Sequence, residues 1–310
     1  MNQQSKAAVL MMAYGAPKSL EEVPAFLKSI LGPRATEAVL KDLTERYRRI
    51  GGASPVVETC AAVAEMLQTA LRAGGFGVDV YLGMKHSEPS IRGAIQAMAK
   101  DGHASALALP LAPYQSGMTD EAYLEKARAA AAEAGGLALF SPPPWNAHPM
   151  LTGAFAEKLK ASFEEIPGDL RRRTLTLFTG HSLPQSVADD GDPYAEQLQL
   201  TAAATAQEAG VAEWMLAYQS VPQGAEGGWL GPDAGEIIDM AAKGGMKAVL
   251  LDPVGFLFEN LETLYDLDVV YRERAERQGL KFYRVPALND DPLFVCALAA
   301  ITRSAFAPLS

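Results

Sequence analysis

The sequence predicts an α/β protein made of two similar halves, each a parallel sheet covered by helices. Three observations carry that prediction. Short apolar runs alternate with helix-length amphipathic stretches along the whole chain, the pattern of parallel strands buried on both faces. Roughly eight such runs fall into two series. The 310 residues, 49% of them hydrophobic, supply apolar surface for two ordinary cores.

Residues 7–12 read as a buried first strand, broken at Tyr14-Gly15-Ala16-Pro17. A helix is expected over 19–31, with Ser19 and Glu22 at capping-box spacing and Gly32-Pro33 as its stop. A second helix fills 36–50. A third follows Ser54-Pro55, where Ser54 would cap and Pro55 take the first helical position, and runs to residue 72. Residues 78–84 alternate as a strand with Lys85-His86-Ser87-Glu88-Pro89 at its tip. A helix over 90–100, a strand over 105–111, an alanine-rich helix over 119–133 and a short strand over 136–140 continue the rhythm. A proline-rich turn then opens a helix over 149–165. The second series has strands over 174–179, 213–218, 247–251 and 281–284. Helices are expected over 194–209, 233–242, 258–278 and 292–306. The division expected from this reading is 1–112 against 113–310, with the last helix packing back on the first half.

Composition excludes several functions. A formal charge of −10 argues against non-specific binding to nucleic acid or to an anionic membrane. No apolar run reaches the roughly 18 residues of a membrane span. Met1-Asn2-Gln3-Gln4-Ser5-Lys6 lacks the basic flank and cleavage site of a secretory signal. No membrane insertion is expected; the protein is read as a cytoplasmic monomer. Cys60 and Cys296 form no CxxC pattern and cannot supply the four thiolates of an iron–sulfur cluster. Neither GxGxxG nor GxxxxGK[ST] occurs, so no nucleotide is expected. The Gly-rich stretch 224–228 holds Glu226, which disfavours a phosphate cradle. HExxH and GxSxG are also missing.

Two stretches carry the chemical signal. In Leu177-Phe178-Thr179-Gly180-His181-Ser182-Leu183-Pro184 an apolar strand ends on a lone histidine. Ligands of open α/β sheets bind beyond the carboxyl ends of strands, so His181 is the first candidate. The second stretch follows the strand at 247–251. Glu262 and Asp266, four apart, share one helix face, and Glu259 adds a carboxylate near it. These carboxylates read either as a solvated first turn that complements the helix dipole or as part of a site. A histidine and a row of carboxylates can handle a transient divalent metal or move protons. They lack the soft ligands of a tight structural site.

The ordered motifs resemble the ferrochelatase family from end to end. The Phe178–Pro184 stretch is similar to its "S-A-H-S-L-P" signature, and Gly191-Asp192-Pro193-Tyr194 follows at family spacing. Tyr218-Gln219-Ser220 with Trp229-Leu230-Gly231-Pro232 resembles its "Q-S … W-L-x-P" block. Pro253-Val254-Gly255-Phe256 through Glu262-Thr263-Leu264-Tyr265 resembles "P-[IV]-x-F-x-x-x-x-x-E-T-L". The resemblance implies a chelatase-like fold: two Rossmann-like domains, each with a parallel four-stranded sheet, and a porphyrin in the cleft between them. It implies a lyase that inserts ferrous iron into the porphyrin. His181 and Glu262 would be catalytic, and His181, Glu262 and Asp266 would meet the substrate metal. Met12-Ala13-Tyr14-Gly15-Ala16-Pro17 resembles the segment "M-A-Y-G-T-P" of the coproporphyrin III enzymes of monoderm bacteria. That implies coproporphyrin III as substrate and coproheme as product, in haem biosynthesis. Against this stand a protoporphyrin IX enzyme and a non-catalytic haem- or porphyrin-binding protein. Tyr14, Ser54 and Tyr123 match porphyrin-contacting positions. Each also has a plain structural reading: a packed strand-end aromatic, a helix cap and a helix-packing tyrosine. His86 matches a family Lys-His, as a supporting or a structural histidine.

The chain departs from the family pattern in four places. Asp-His before the Leu-Glu is Glu259-Asn260; the third carboxylate of the acidic row is Val270. Paired arginines near the end of the first helix are Ile30-Leu31, with Arg34 nearby, and the alanine before the histidine is Gly180. The first three bear on metal delivery and carboxylate contacts; none touches His181 or Glu262.

Overall fold

The computed structural model describes residues 7–222 and 227–307. The readings made at 1–6 and at 223–226 of the Gly-rich loop lie outside them. The chain forms two compact units, Met1–His148 with Asn289–Ser310, and Pro149–Leu288.

The first unit runs β1 (Ala7–Ala13), α1 (Val23–Leu31), a 3-10 turn (Gly32–Arg34), α2 (Glu37–Arg49), α3 (Val56–Ala73), β2 (Val78–Met84), α4 (Ile91–Lys100), β3 (Ser105–Pro110), α5 (Asp120–Glu133) and β4 (Ala138–Phe140). Its sheet is parallel, in the order β2-β1-β3-β4. The second unit runs α6 (Pro149–Glu164), α7 (Gly168–Arg171), β5 (Thr174–His181), α8 (Gln185–Asp189), α9 (Tyr194–Ala209), β6 (Trp214–Gln219), α10 (Ala234–Lys243), β7 (Ala248–Asp252), a π-helix (Glu262–Tyr271), α11 (Arg272–Arg277) and β8 (Lys281–Arg284). Its sheet repeats the pattern, parallel in the order β6-β5-β7-β8. The last helix, α12 (Pro292–Phe306), belongs to the first unit.

The strands are apolar along their length because helices cover both faces of each sheet. Val9 to Met12 of β1 and Ala248 to Leu251 of β7 are fully buried. In the first unit Leu10 and Met12 pack with Ile91, Ile95 and Met98 of α4 and with Leu124 of α5. In the second, Leu175, Leu177, Val249 and Leu251 pack with Ile237 and Ile238 of α10 and with Leu267. Each such side chain contributes roughly 1.5–3 kcal/mol on burial.

Several expectations are corrected. The division lies at 148/149, not at 112/113. β4 pairs in parallel with β3, Ser105 against Ala138, and so completes the first sheet. α12, expected to pack back on the first half, does lie on α3 and β3, with Phe306 set against Phe76 (5.3 Å between ring centroids) and Phe140 (5.0 Å). The capping box at Ser19 does not form. Glu22 Oε2 accepts from Lys18 N–H instead (2.9 Å), closing the preceding turn, and α1 starts at Val23. Ser54 does not cap α3; its hydroxyl is buried without a hydrogen-bond partner. Side-chain caps form instead at Thr36 and Ser90, which accept from Val39 N–H and Gly93 N–H.

Both sheets change direction at the central strand, β1 or β5, which makes its carboxyl end the place where such sheets bind ligands. Tyr14 follows β1 directly and His181 ends β5. One titratable group is fully buried in the second unit. Asp252, the last residue of β7, pairs with Phe178 and is 1% exposed, and its Oδ2 has no hydrogen-bond partner. Burial pushes its carboxyl well above the usual range, against the pull of Arg284. The folded state therefore holds this proton more tightly than the unfolded chain. Its contribution to stability is complete below the ordinary carboxyl value of about 3.9 and is lost as pH rises through the folded value. Asp252→Asn is expected to be more stable than the parent at pH 7.5, with the gap narrowing toward pH 4. Urea unfolding at the two pH values checks this; an equal gap at both would contradict it.

Candidate active site

His181 is half-buried at the tip of β5. Its Nδ1 lies 2.6 Å from the Ser182 carbonyl oxygen. A carbonyl only accepts, so Nδ1 carries a proton, and in the neutral ring the lone pair is on Nε2. The surrounding backbone is pinned on several sides. Tyr194 Oη donates to the His181 carbonyl (2.9 Å) and Ser182 N–H to the Gln219 carbonyl (2.8 Å). Ser182 Oγ donates to the Leu230 carbonyl (2.8 Å), and Leu230 N–H to Leu183 (2.9 Å). The Trp229-Leu230 block thus holds the histidine-bearing turn in place.

Glycine at 180 has a packing reason: a Cβ there would collide with Leu198 of α9. A Cβ on Gly255 would stand 2.5 Å from Gly180 Cα, and Gly255 N–H donates to the Thr179 carbonyl (2.9 Å). The segment leaving β7 is thereby seated on the β5 tip before it reaches Glu262.

The long helix expected over 258–278 is instead a π-helix, Glu262–Tyr271, followed by α11. Its i→i+5 bonding widens each turn, so positions four apart fall just short of a full turn and still share a face. Glu262 opens it. The Glu262 carbonyl accepts from Gln219 Nε2 (3.1 Å), and Gln219 is the strand partner of His181. The Glu262 carboxylate makes no hydrogen bond or ion pair among the described residues. One turn on, Asp266 accepts from Ser220 Oγ; Ser220 has a left-handed backbone (φ 65°). Gln219 and Ser220, a motif without an assigned role in the sequence reading, thus link His181, Glu262 and Asp266. The signal for them was a polar pair at a strand end. Val270, four residues further, is exposed.

Glu259 does not join this face. It is 9% exposed and fully committed. Oε1 accepts from Arg284 Nη1 (2.8 Å) and Ala287 N–H (2.9 Å), and Oε2 from Thr263 Oγ1 (2.6 Å). Asn260 caps the helix reciprocally with Thr263. Asn260 Oδ1 accepts from Thr263 N–H and Asn260 N–H donates to Thr263 Oγ1, both at 2.9 Å. Asp268 meets Arg284 Nε at 2.9 Å. Burial pushes the Asp268 carboxyl above its usual range, against Arg284. Burial works against the Arg284 charge, but Glu259 and Asp268 outweigh it and raise the guanidinium further. Among the described residues no three His, Cys, Asp or Glu side chains could together hold a metal ion. His181, Glu262 and Asp266 therefore do not form a chelating triad.

In the first unit Tyr14 is 41% exposed beyond the end of β1. The turn needs Gly15, whose φ is +92° and whose Cβ would collide with Ser87 Oγ. The His86 ring lies 4.7 Å from the Tyr14 ring and 6.5 Å from that of Phe26, with Nδ1 3.3 Å from Ser29 Oγ. Burial lowers the His86 pKa to about 4, with Lys126 and Lys85 adding to it, so the ring is neutral at pH 7. Tyr123 packs in the core between sheet and helices, 7% exposed. Burial raises its phenol pKa. Ser54 N–H donates to the Pro17 carbonyl (3.4 Å), leaving its orphan hydroxyl at the foot of α3.

A family model described as ferrochelatase matches residues 6–306. A ferrochelatase of Deinococcus radiodurans is 35% identical over 97% of this chain and 96% of its own. A coproporphyrin III ferrochelatase of Geobacillus kaustophilus is 35% identical over 95% of this chain and 94% of its own. Among solved structures, SirB from Bacillus subtilis with Fe3+ superposes with a TM-score of 0.66 at 14% identity, covering 98% of this chain and 97% of that one. At that identity the likeness is one of fold.

The buried ion pairs give a test. Arg284→Met leaves Glu259 and Asp268 without their cation, and is expected to cost about 3–5 kcal/mol. Urea unfolding measures it; a loss under 1 kcal/mol would mean that the pairs do not hold the π-helix.

Proposed function

The chain belongs to the ferrochelatase family, and from that premise we propose that it inserts ferrous iron into coproporphyrin III, giving coproheme for haem biosynthesis. The carrying observation is the fixed tautomer of His181, with Nδ1–H committed to Ser182 and Nε2 left as a base. Insertion replaces two pyrrole N–H protons with one Fe2+, so two protons must leave. Imidazole is the side chain suited to accept one near neutral pH. Glu262, with its uncommitted carboxylate, is the second acceptor and a first oxygen ligand for the incoming metal. Asp266, steadied by Ser220, stands one turn further along the same helix face. Single oxygen and nitrogen donors suit a metal that is cargo: it sheds water stepwise and moves on into the ring. Holding the ring bent would expose its nitrogen lone pairs, a use of binding energy as strain.

Tyr14 is the residue that meets the iron of the product, and Ser54 and Tyr123 contact the porphyrin's carboxylate arms. The orphan hydroxyl of Ser54 supports such a contact, since a buried hydroxyl without a partner is costly until something bonds it. Relatives named for coproporphyrin III support that substrate over protoporphyrin IX. In this reading the enzyme is a cytoplasmic monomer without a nucleotide or an iron–sulfur cluster. Two cysteines fall short of a cluster's four thiolates. No helix among the described residues is long and apolar enough to cross a membrane.

An anaerobic assay with Fe2+ tests the reading: coproporphyrin III should be metallated faster than protoporphyrin IX. Metallation of neither would rule out the enzyme, and the reverse preference would rule out the substrate. His181→Ala is expected to lower the rate at least about 10²-fold while porphyrin still binds; near-parental turnover would remove His181 from the chemistry. Tyr14→Phe should shift the absorption spectrum of bound coproheme, and an unchanged spectrum would return Tyr14 to a packing role.

A further inference from the structure

Two lysines meet near Tyr14: Lys85 lies against its ring, and Lys126 bonds the Lys85 backbone. Lys85 begins the turn after β2, anchored by its N–H donating to the Ala13 carbonyl (2.9 Å). Its Nζ lies 5.9 Å from the centre of the Tyr14 ring and 5.4 Å from that of Tyr123. Lys126 reaches over from α5 and donates through Nζ to the Lys85 carbonyl. Neither ammonium has an ion-paired carboxylate among the described residues. Glu125 acts on Lys85 only at longer range. Burial lowers the pKa of both lysines, and for Lys85 the charge of Lys126 adds to it. Two like charges, partly withdrawn from water and near enough for one to act on the other, are held in an arrangement that an anion would relieve.

The neighbours define what kind of anion. Tyr14 and Tyr123 supply aromatic surface, and the neutral His86 ring lies against Tyr14. A ligand that satisfies all of this has a flat aromatic body and a carboxylate at its edge. We propose that Lys85 and Lys126 form a clamp for one propionate arm of the porphyrin, an assignment that rests on the functional reading above. The bond to the Lys85 carbonyl ties Lys126 to the backbone that carries Lys85, and both lysines keep ammonium protons for the carboxylate.

Titrations of metal-free coproporphyrin III, followed by the shift of its main absorption band at low and high salt, test the clamp. Lys85→Gln and Lys126→Gln are each expected to weaken binding roughly tenfold, the size of a lost charge-assisted hydrogen bond. The double variant should also lose most of the salt dependence. Lys126→Arg, which keeps charge and donors, should bind within about threefold of the parent, on the same scale. Because the glutamines remove a repulsion, the Tm of the porphyrin-free protein should not fall. Parental affinity and salt dependence in the double variant would overturn the clamp. So would weakening that tracks a lower Tm without porphyrin, which marks a merely structural role. Should the parent protein neither bind nor metallate coproporphyrin, the functional reading itself fails and takes the clamp with it. Parental binding and metallation with an unaffected double variant would sink the clamp alone.

Discussion

The second unit depends on two glycines that touch. Gly255 sits on Gly180 so closely that a Cβ at 255 would stand 2.5 Å from the Gly180 Cα, while a Cβ at 180 would meet the Leu198 side chain instead. This contact joins the end of the histidine-bearing strand to the segment that leaves β7. It lets the Gly255 N–H bond the Thr179 carbonyl, and it starts the chain toward Glu262 from a fixed point. Bulk at Gly255 would push the segment after β7 away from the β5 tip and loosen everything downstream. Glycine at 180, a departure from the family pattern, lets the Leu198 side chain of α9 pack closely against the strand tip.

Beyond that contact the acidic residues sort themselves by partner. Glu259 and Asp268 are spent on Arg284 and serve to anchor the π-helix to β8. Asp266 is steadied by one hydroxyl. Glu262 is tied only through its backbone, which leaves its carboxylate available. A net-charge count sees an acidic segment; the bonding shows two structural carboxylates, one poised and one open. Asn260 belongs with the structural set, since its amide oxygen caps the helix.

Much of this was legible in the sequence, for physical reasons that also mark the limits. Strands buried on both faces leave unbroken apolar runs, so β1, β2, β5, β7 and β8 were read close to their observed bounds. His181 was legible because a strand that stops on a polar residue is a local event. β4 was found as a strand, but its sheet was not, because pairing is a long-range choice that three residues do not encode. The π-helix was missed because its side-chain spacing mimics an α-helix over a few turns. The Ser19 and Ser54 caps failed because spacing offers a cap without fixing the backbone: Glu22 closes the turn at Lys18 instead, and the Ser54 hydroxyl is buried away from any partner. Glu259 was grouped with Glu262 since the residue that captures it, Arg284, lies on another strand.

The route of the chain carries one more consequence. It starts in the first unit, makes the whole of the second, and returns only at Asn289 to lay α12 against α3 and β3. During synthesis the sheet made first must wait, its flank uncovered and Phe76 and Phe140 without Phe306, until the final helix emerges. The second unit, contiguous in sequence, has no such delay. The half translated first is therefore the half completed last, and a chain truncated before α12 would carry a finished second unit beside an exposed first one.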